Sequence, residues 1–394
     1  MSPERSRPDV DYRDLARMLA PKIAGCADQT EQERRLPQPL VDELMDAGLF
    51  RMLLPRALGG AQIDPVTFVE VLEEISKVDA STAWVICQTS GCSMVAAHLS
   101  SEAAGKVFGG TPHGILAWGP GLTSRTVPVE GGYRVTGTFS FLSGCRHATW
   151  VGGLTNLYGA DGARLRGPDG HAQQRWVLFP AASVQLDDVW HVLGLRGTGS
   201  DSFSVTDHFV PEAHTAAREN EAEPRDPSPL YRFPLVTMFS VGFAGVALGL
   251  ARAIFDALIT LARDKVPRGF KGTLRENAVL QSRVAQADVR LSAARLFLLT
   301  TLAEVWEAAQ QTGKVTVEQR VRLRVGASHA IQQATEVVDF AYHGAGGDAV
   351  FVGSAFERRF RDMHAVTQQM QGRLDHFETV GRFLVGLEID SSHL

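Results

Sequence analysis

Near the middle of the chain, Phe233 to Ala251 forms a run of 19 residues without Asp, Glu, Lys or Arg. On paper that is long enough to cross a bilayer. Pro234 sits near its start, Gly242, Gly245 and Gly249 dilute its hydrophobicity, and Arg252 and Asp256 continue the same helical pattern. The stretch therefore reads as a buried bundle helix whose glycines let neighbours approach closely, and no membrane partner is expected.

Helical periodicity dominates both flanks of the chain. Leu40, Val41, Leu44, Met45 and Leu49 recur at helical spacing, as do Phe68, Val71, Leu72 and Ile75. Asp64-Pro65 opens the second of these helices, and Ser81 can cap a third running through Trp84 and Ile86. Beyond residue 235 the pattern predicts long helices over 235–265, 277–312 and 316–343, then shorter ones near 354–371 and 374–388. The texture between is different. YRVTGTFSF, TWVGGLTNL, QRWVLFP and SFSVTDHFVP are short, rich in Val, Phe, Trp and Thr, and separated by Gly, Asp and Pro. They predict a central antiparallel β domain over 113–212, between an N-terminal helical domain (1–112) and a linker with a C-terminal helical bundle (213–394). The segment HTAARENEAEPRDPSPLYR reads as linker or surface loop. The order is α, β, α, without the strand–helix alternation that a dinucleotide-binding fold requires.

With 39 Lys and Arg against 44 Asp and Glu, the chain has a net charge of -5 and no basic excess to neutralise a phosphate backbone. Nucleic acid is not expected as a partner. Cys26, Cys87, Cys92 and Cys145 form no CxxC pair, and the N-terminus lacks an apolar signal core, so a reducing cytoplasm is expected. Asp339 and His343 lie four apart on one helix face, but no HxH or HExxH pair accompanies them, and no metal is expected. Neither Gly197-Thr198-Gly199 nor Gly344-Ala345-Gly346-Gly347 stands between a strand and a helix, as a nucleotide-binding glycine loop would, and no GxSxG elbow is present.

One segment is chemically distinctive. Between strand-like stretches, Ser143-Gly144-Cys145-Arg146-His147 is flanked by Phe139, Phe141 and Trp150. It can be a strand-end turn, or it can set a small hydroxyl beside a flat ligand.

Together, the domain order and several motifs resemble the acyl-CoA dehydrogenase superfamily, and within it the two-component (group D) flavin-dependent monooxygenases. The carriers of the resemblance are LPRALGGAQIDPVTFVEVLEEISKVDASTAW (54–84), VEGGYRVTGTFSFLSGCRHATWV (129–151), WHVLGLRGTGSDSFSV (190–205), PRGFKG (267–272), YHGAGGDAVF (342–351), ERRFRDMHA (357–365) and ETVGRFLVGL (378–387). The resemblance implies a mainly α protein with a central β domain and a C-terminal four-helix bundle, assembled as a homotetramer. It implies a flavin between the β domain and the bundle. Ser143, with Gly144 after it, matches the serine beside flavin N5 and C4a; Trp118, Gly119 and Pro120 fall at the first flavin-wall loop. Arg268, in the same motif as Phe270, matches an arginine that reaches the flavin of an adjacent subunit, while Ala345, Gly346 and Gly347 match a loop that passes close to the flavin. The implied chemistry uses reduced flavin (FADH2 or FMNH2) from a separate flavin reductase, with O2, to form a C4a-hydroperoxide that oxygenates a small-molecule substrate.

Two positions depart from the family pattern. Counted from Arg361-Asp362, phenol hydroxylases of this group carry a histidine where Gln369 stands, and common dehydrogenases carry a glutamate where Met370 and Gln371 stand. Gln cannot act as a base near neutral pH, so the expected substrate is already nucleophilic, such as an amine or sulfide, or loses its proton elsewhere. His376 and His364 are the candidates for that second role. Two other readings stay open at this point: a flavin dehydrogenase or oxidase acting on an acyl substrate, and a non-catalytic flavin-fold protein.

Overall fold

The computed structural model describes residues 10–109, 114–121, 123–167, 170–218, 223–391 and 394. Five helices come first: α1 (Tyr12–Glu33), α2 (Gln38–Asp46), α3 (Pro65–Ser76), α4 (Ala80–Ser93) and the short α5 (Ser101–Ala104). Eight strands follow: β1 (Leu116–Trp118), β2 (Arg125–Val129), β3 (Gly132–Leu142), β4 (Trp150–Leu157), β5 (Gln174–Pro180), β6 (Leu186–Asp187), β7 (Asp201–Pro211) and β8 (Thr215–Ala217). Then come α6 (Leu235–Asp264), α7 (Ala278–Thr312), α8 (Val317–Ala345), α9 (Glu357–Val366) and α10 (Asp375–Leu384).

The uncharged stretch lies inside α6, a helix whose most apolar 18-residue window is 89% buried among the other helices. Gly245 and Gly249 face the α3 backbone, and Gly242 faces Cys87 on α4. A Cβ on Gly249 would sit 2.1 Å from the Glu73 carbonyl oxygen, one on Gly245 2.9 Å from that of Val69, and one on Gly242 2.5 Å from Cys87 Sγ. Backbone-to-backbone approach of this kind leaves no room for a side chain. The Ser76 hydroxyl, donating to the Val246 carbonyl at 2.6 Å, fastens the same seam.

Asp64 caps α3, accepting from the Thr67 amide at 2.9 Å with Pro65 in the first turn. The cap of α4 is Asp79, which accepts from the Thr82 amide at 2.7 Å, so the expectation that Ser81 fills this role is corrected. A carboxylate two residues earlier reaches the free amides of the first turn. α9 packs on α6 and α8 and α10 on α8, with a turn at Met370–Gly372 between them.

The sheet runs β6-β7-β3-β2-β4-β5-β8, with β1 beside β4. It is mixed, which corrects the antiparallel expectation: β1 and β2 share one edge of β4 and both run parallel to it. A tight hairpin at Gly131 joins only β2 to β3, while the chain from β3 to β4 crosses over β2 and arrives in β2's direction. Residue alternation carries no information on strand direction. A second correction concerns the expected linker, whose first residues form β8 against β5. One face of the sheet closes on its own core, where Phe139 stacks on Phe203 at 4.9 Å and meets Phe179 edge-on. The other face presents Trp118, Trp150 and Trp176 to the helices.

Candidate active site

Where the tryptophan face of the sheet meets α4 and α6, aromatic rings form a continuous path. Trp176 stacks on Trp118 (3.9 Å between centroids), Trp118 meets Phe239 edge-on, Phe239 stacks with Phe243, and Phe243 stacks on Trp84 at 3.8 Å. The path ends on a polar contact: the Trp84 indole N–H donates to Ser143 Oγ at 3.1 Å. Trp118 and Ser143, both expected near a flat ligand, thus belong to one connected wall. Gln88 on α4 adds a donor to the Trp118 carbonyl at 3.1 Å.

Ser143 is buried at the end of β3. Its Oγ lies 2.7 Å from Ser200 Oγ, which lies 2.7 Å from Thr198 Oγ1, and that hydroxyl donates to the Leu195 carbonyl at 2.8 Å. Gly144 takes a left-handed φ of 80°, and a Cβ there would meet Val85 at 3.0 Å, so the turn is pressed against α4. Gly119 is tighter still: its Cβ would lie 1.7 Å from the Ser140 carbonyl oxygen. Pro120 accepts from the Ser140 amide at 3.4 Å, on the exposed side of the same loop.

Three ion pairs hold the 195–201 loop and the segment before it in register. Arg146 grips both oxygens of the buried Asp201 at 2.6 and 3.1 Å, and Asp201 beside it holds the guanidinium in its charged form. Arg146 and Arg34 also share Asp188, whose carboxyl is held well below its usual range by Arg34 first and Arg146 second. Leu195 adopts a left-handed φ of 53°, uncommon for a branched side chain. It is held by its amide donating to Asp362 Oδ1 at 2.6 Å and by the Trp190 indole donating to its carbonyl at 3.0 Å. Burial pushes the Asp362 carboxyl up to about 7, outweighing the Leu195 amide that lowers it. Asp362 on α9 is thereby tied to the loop that carries Thr198 and Ser200.

A second corner gathers Arg268, Phe270, Ala345, Gly346 and Gly347. Arg268 and Phe270 stand exposed on the loop after α6, which closes through the Leu274 amide and Lys265 carbonyl at 2.7 Å. Lys265 Nζ reaches across to the Ala345 carbonyl and to Asp348 (2.7 Å), so this loop and the Ala345-Gly346-Gly347 loop are tied together. Gly346 has φ 59° and ψ -137°, a backbone conformation suited to glycine, and both Gly346 and Gly347 are exposed. Among the described residues, no hydrogen bond or ion pair joins this corner to Ser143.

Gln369 and His376 are occupied in building the turn between α9 and α10. The Gln369 carboxamide accepts from the Gln371 amide at 2.5 Å, and the buried His376 places Nε2 2.8 Å from the Met370 carbonyl, a contact in which the ring donates. Gln371 meets the fully buried Arg324, whose pKa burial lowers to about 10. Asp339 Oδ1 meets His364 Nε2 at 3.0 Å, with the His364 ring edge-on to Phe360. No group of three or more His, Cys, Asp or Glu able to hold a metal occurs among the described residues. Sequence reasoning did not single out Trp84, Thr198, Ser200, Asp201 or Lys265. The cue available for two of them is a pair of small hydroxyls alternating with Gly197 and Gly199 between strands.

These residues fit a flavin. Stacked aromatic rings stand beside a buried hydroxyl fixed by Trp84 and Ser200, and glycine at 119 and 144 lets the loops that carry Trp118 and Ser143 pack closely on Ser140 and Val85. Arg268 supplies an exposed cation without an ion-pair partner among the described residues.

Fold and site together define an α–β–α flavoprotein scaffold. Residues 11–108 match the acyl-CoA dehydrogenase N-terminal domain and residues 241–371 its C-terminal domain. The oxygenase subunit HsaA of a flavin-dependent monooxygenase from Rhodococcus jostii is 30% identical over 358 residues, covering 88% of this chain and 91% of the relative. The oxygenase component of an FADH(2)-dependent resorcinol hydroxylase from a Rhizobium species is 27% identical, over 98% of this chain and 97% of its own. The crystal structure of the HsaA monooxygenase from M. tuberculosis superposes with a TM-score of 0.87 at 26% identity, covering 97% and 98% of the two chains. The chain belongs to the acyl-CoA dehydrogenase superfamily, among the oxygenase subunits of flavin-dependent monooxygenases.

Proposed function

We propose that this protein is the oxygenase component of a two-component flavin monooxygenase, taking reduced flavin from a separate reductase and oxygenating a small organic substrate. The carrying observation is the Ser143 hydroxyl, buried at the end of the aromatic path and fixed by Trp84 and Ser200. Bound reduced flavin supplies the electrons that activate O2. The chain's own residues do the rest. Ser143 and the Gly144 turn hold the reacting edge of the ring, and the Trp118–Gly119–Pro120 loop forms a wall. The packed aromatic rings keep water away from that edge, where it would divert the reaction to peroxide release. Arg268 and the bare, exposed backbone at Gly346 and Gly347, which the buried Ala345 anchors through Lys265, serve the phosphate-bearing part of a flavin, with Arg268 reaching that of a neighbouring subunit.

The dehydrogenase alternative needs a carboxylate to take an α-proton, and the turn at Gln369-Met370-Gln371 offers none. Nor can the Gln369 amide, spent on the turn, remove a phenolic proton. A substrate that is already nucleophilic suits this site, so amines and sulfides belong in a screen beside the phenols suggested by the resorcinol hydroxylase relative. FAD and FMN are both candidates for the flavin.

Assembly as a homotetramer is supported by the apolar side chains left outside: Val279, Val289 and Leu296 on α7, with Phe270 and Phe351 at the Arg268 corner, are each more than 60% exposed. A reducing cytoplasm suits four cysteines that are all unpaired, three of them buried.

The test is to add flavin reduced outside the protein, with O2 and no reductase, and to weigh the products. A substrate that gains one oxygen atom supports the oxygenase reading. An acyl thioester that loses two hydrogens to an external acceptor overturns it in favour of a dehydrogenase.

A further inference from the structure

The hydroxyls around Ser143 form a chain whose proton positions can be counted. Four links connect five groups: Trp84 Nε1 to Ser143 at 3.1 Å, Ser143 to Ser200 at 2.7 Å, Ser200 to Thr198 at 2.7 Å, and Thr198 to the Leu195 carbonyl at 2.8 Å. The ends cannot reverse. An indole N–H only donates, and a carbonyl oxygen only accepts. The indole fills the first link, so the three hydroxyl protons must fill the other three. Each therefore points away from Trp84: Ser143 donates to Ser200, Ser200 to Thr198, and Thr198 to Leu195. All three hydroxyls are buried, without bulk water to offer substitute partners.

It follows that the Ser143 proton is already committed. With Trp84 on one lone pair of Oγ, what remains for a ligand is the second lone pair. Ser143 presents itself as an acceptor. A flavin differs between its redox states in the complementary property: N5 carries an N–H when reduced and a bare lone pair when oxidised. An oxidised ring can receive a hydrogen bond from Ser143 only if one link of the chain is given up.

We propose that Ser200, Thr198 and Trp84 are positioning residues that fix Ser143 as a hydrogen-bond acceptor, so that the site selects reduced over oxidised flavin. The inference rests on the flavin-site reading above, with Ser143 at the N5 edge. It explains how an oxygenase without its own reductase takes reduced flavin from a mixture and lets the oxidised form go. It also explains why Leu195 is held in a strained conformation: Asp362 and Trp190 keep its carbonyl at the end of the chain, where the direction is set.

The experiment is anaerobic titration of the full-length protein with FMN and FAD, oxidised and dithionite-reduced, together with the midpoint potential of the bound flavin. The wild-type protein is expected to bind the reduced form about tenfold more tightly, the worth of roughly one net hydrogen bond. Ser200→Ala and Thr198→Val each free a proton for Ser143 and should bring the two affinities together. The bound potential would fall by about 30 mV for a tenfold change in a two-electron couple. Thr198→Ser keeps the hydroxyl and should keep the preference. An unchanged affinity ratio in both Ser200→Ala and Thr198→Val overturns the proposal, as does a wild-type protein that binds both redox forms equally. Failure of the wild-type protein to bind flavin in either state is a different result, and it overturns the flavin-site reading itself.

Discussion

His147, four residues after Ser143, has no support for a charge. Both ring nitrogens are buried without a hydrogen-bond partner among the described residues. Burial, then Arg35 and Arg146, push its pKa down to about 4 from an ordinary 6.5, against a smaller opposing effect of Asp42. The folded protein therefore keeps the ring neutral while the unfolded chain takes up a proton, and stability is lost as pH falls from about 6.5 towards 4. Asp362 acts in the opposite sense. Its raised pKa of about 7 makes the folded state bind the proton more tightly, which adds stability as pH falls through the same range. A comparison with His147→Gln separates the two. Between about pH 7 and pH 4.5 the wild-type protein should lose about 1–2 kcal/mol relative to that variant in urea unfolding, and parallel pH profiles contradict the assignment. At Gly119 a Cβ would fall 1.7 Å from a backbone oxygen that cannot swing aside. Gly119→Ala should therefore cost about 2 kcal/mol or more and weaken flavin binding. Unaltered melting and binding would show the loop to be looser than this contact implies.

Helices are the elements that could be read in the sequence. The runs 235–265, 277–312 and 316–343 correspond to α6, α7 and α8: α7 and α8 because burial on one side of a long helix leaves a repeating trace, α6 because a helix buried on all sides leaves an unbroken apolar run. Strand direction leaves none, so the parallel placement of β1 and β2 along β4 was not legible. Neither were contacts between distant residues. Ser143 stood out as a hydroxyl among aromatics, but its partners Trp84 and Ser200 lie 59 and 57 residues away, and His364 finds Asp339 across 25. The glycines of α6 were legible as packing residues, and their seam with α3 can be tested. Gly249→Ala must separate the two backbones and should lower stability by about 2 kcal/mol. Gly381, inside α10, has open space around it, and Gly381→Ala should raise stability by about 0.5–1 kcal/mol through the lost flexibility of glycine. A melting temperature for Gly249→Ala that is unchanged or raised would contradict the seam, and one lowered for Gly381→Ala would contradict the open space around that residue.

At the scale of the whole molecule, the helical layers and the sheet serve one junction. α4 and α6 bring Trp84 and Phe243, the sheet brings Trp118 and Ser143, and α9 fixes the loop that carries Thr198 and Ser200 through Asp362. The second corner, at Arg268 and Gly346, faces solvent in a single chain, which is why a site completed by a neighbouring subunit is expected. Light scattering should give four times the chain mass, and a monomer at working concentration would contradict the role proposed for Arg268 at a neighbour's flavin. Oxygen transfer driven by flavin reduced elsewhere can be measured by giving the protein a substrate panel, isotopically labelled O2 and flavin reduced by a reductase held behind a dialysis membrane. The expected result is a product carrying one labelled oxygen atom. Unlabelled product, or a substrate that has only lost hydrogen, would contradict it.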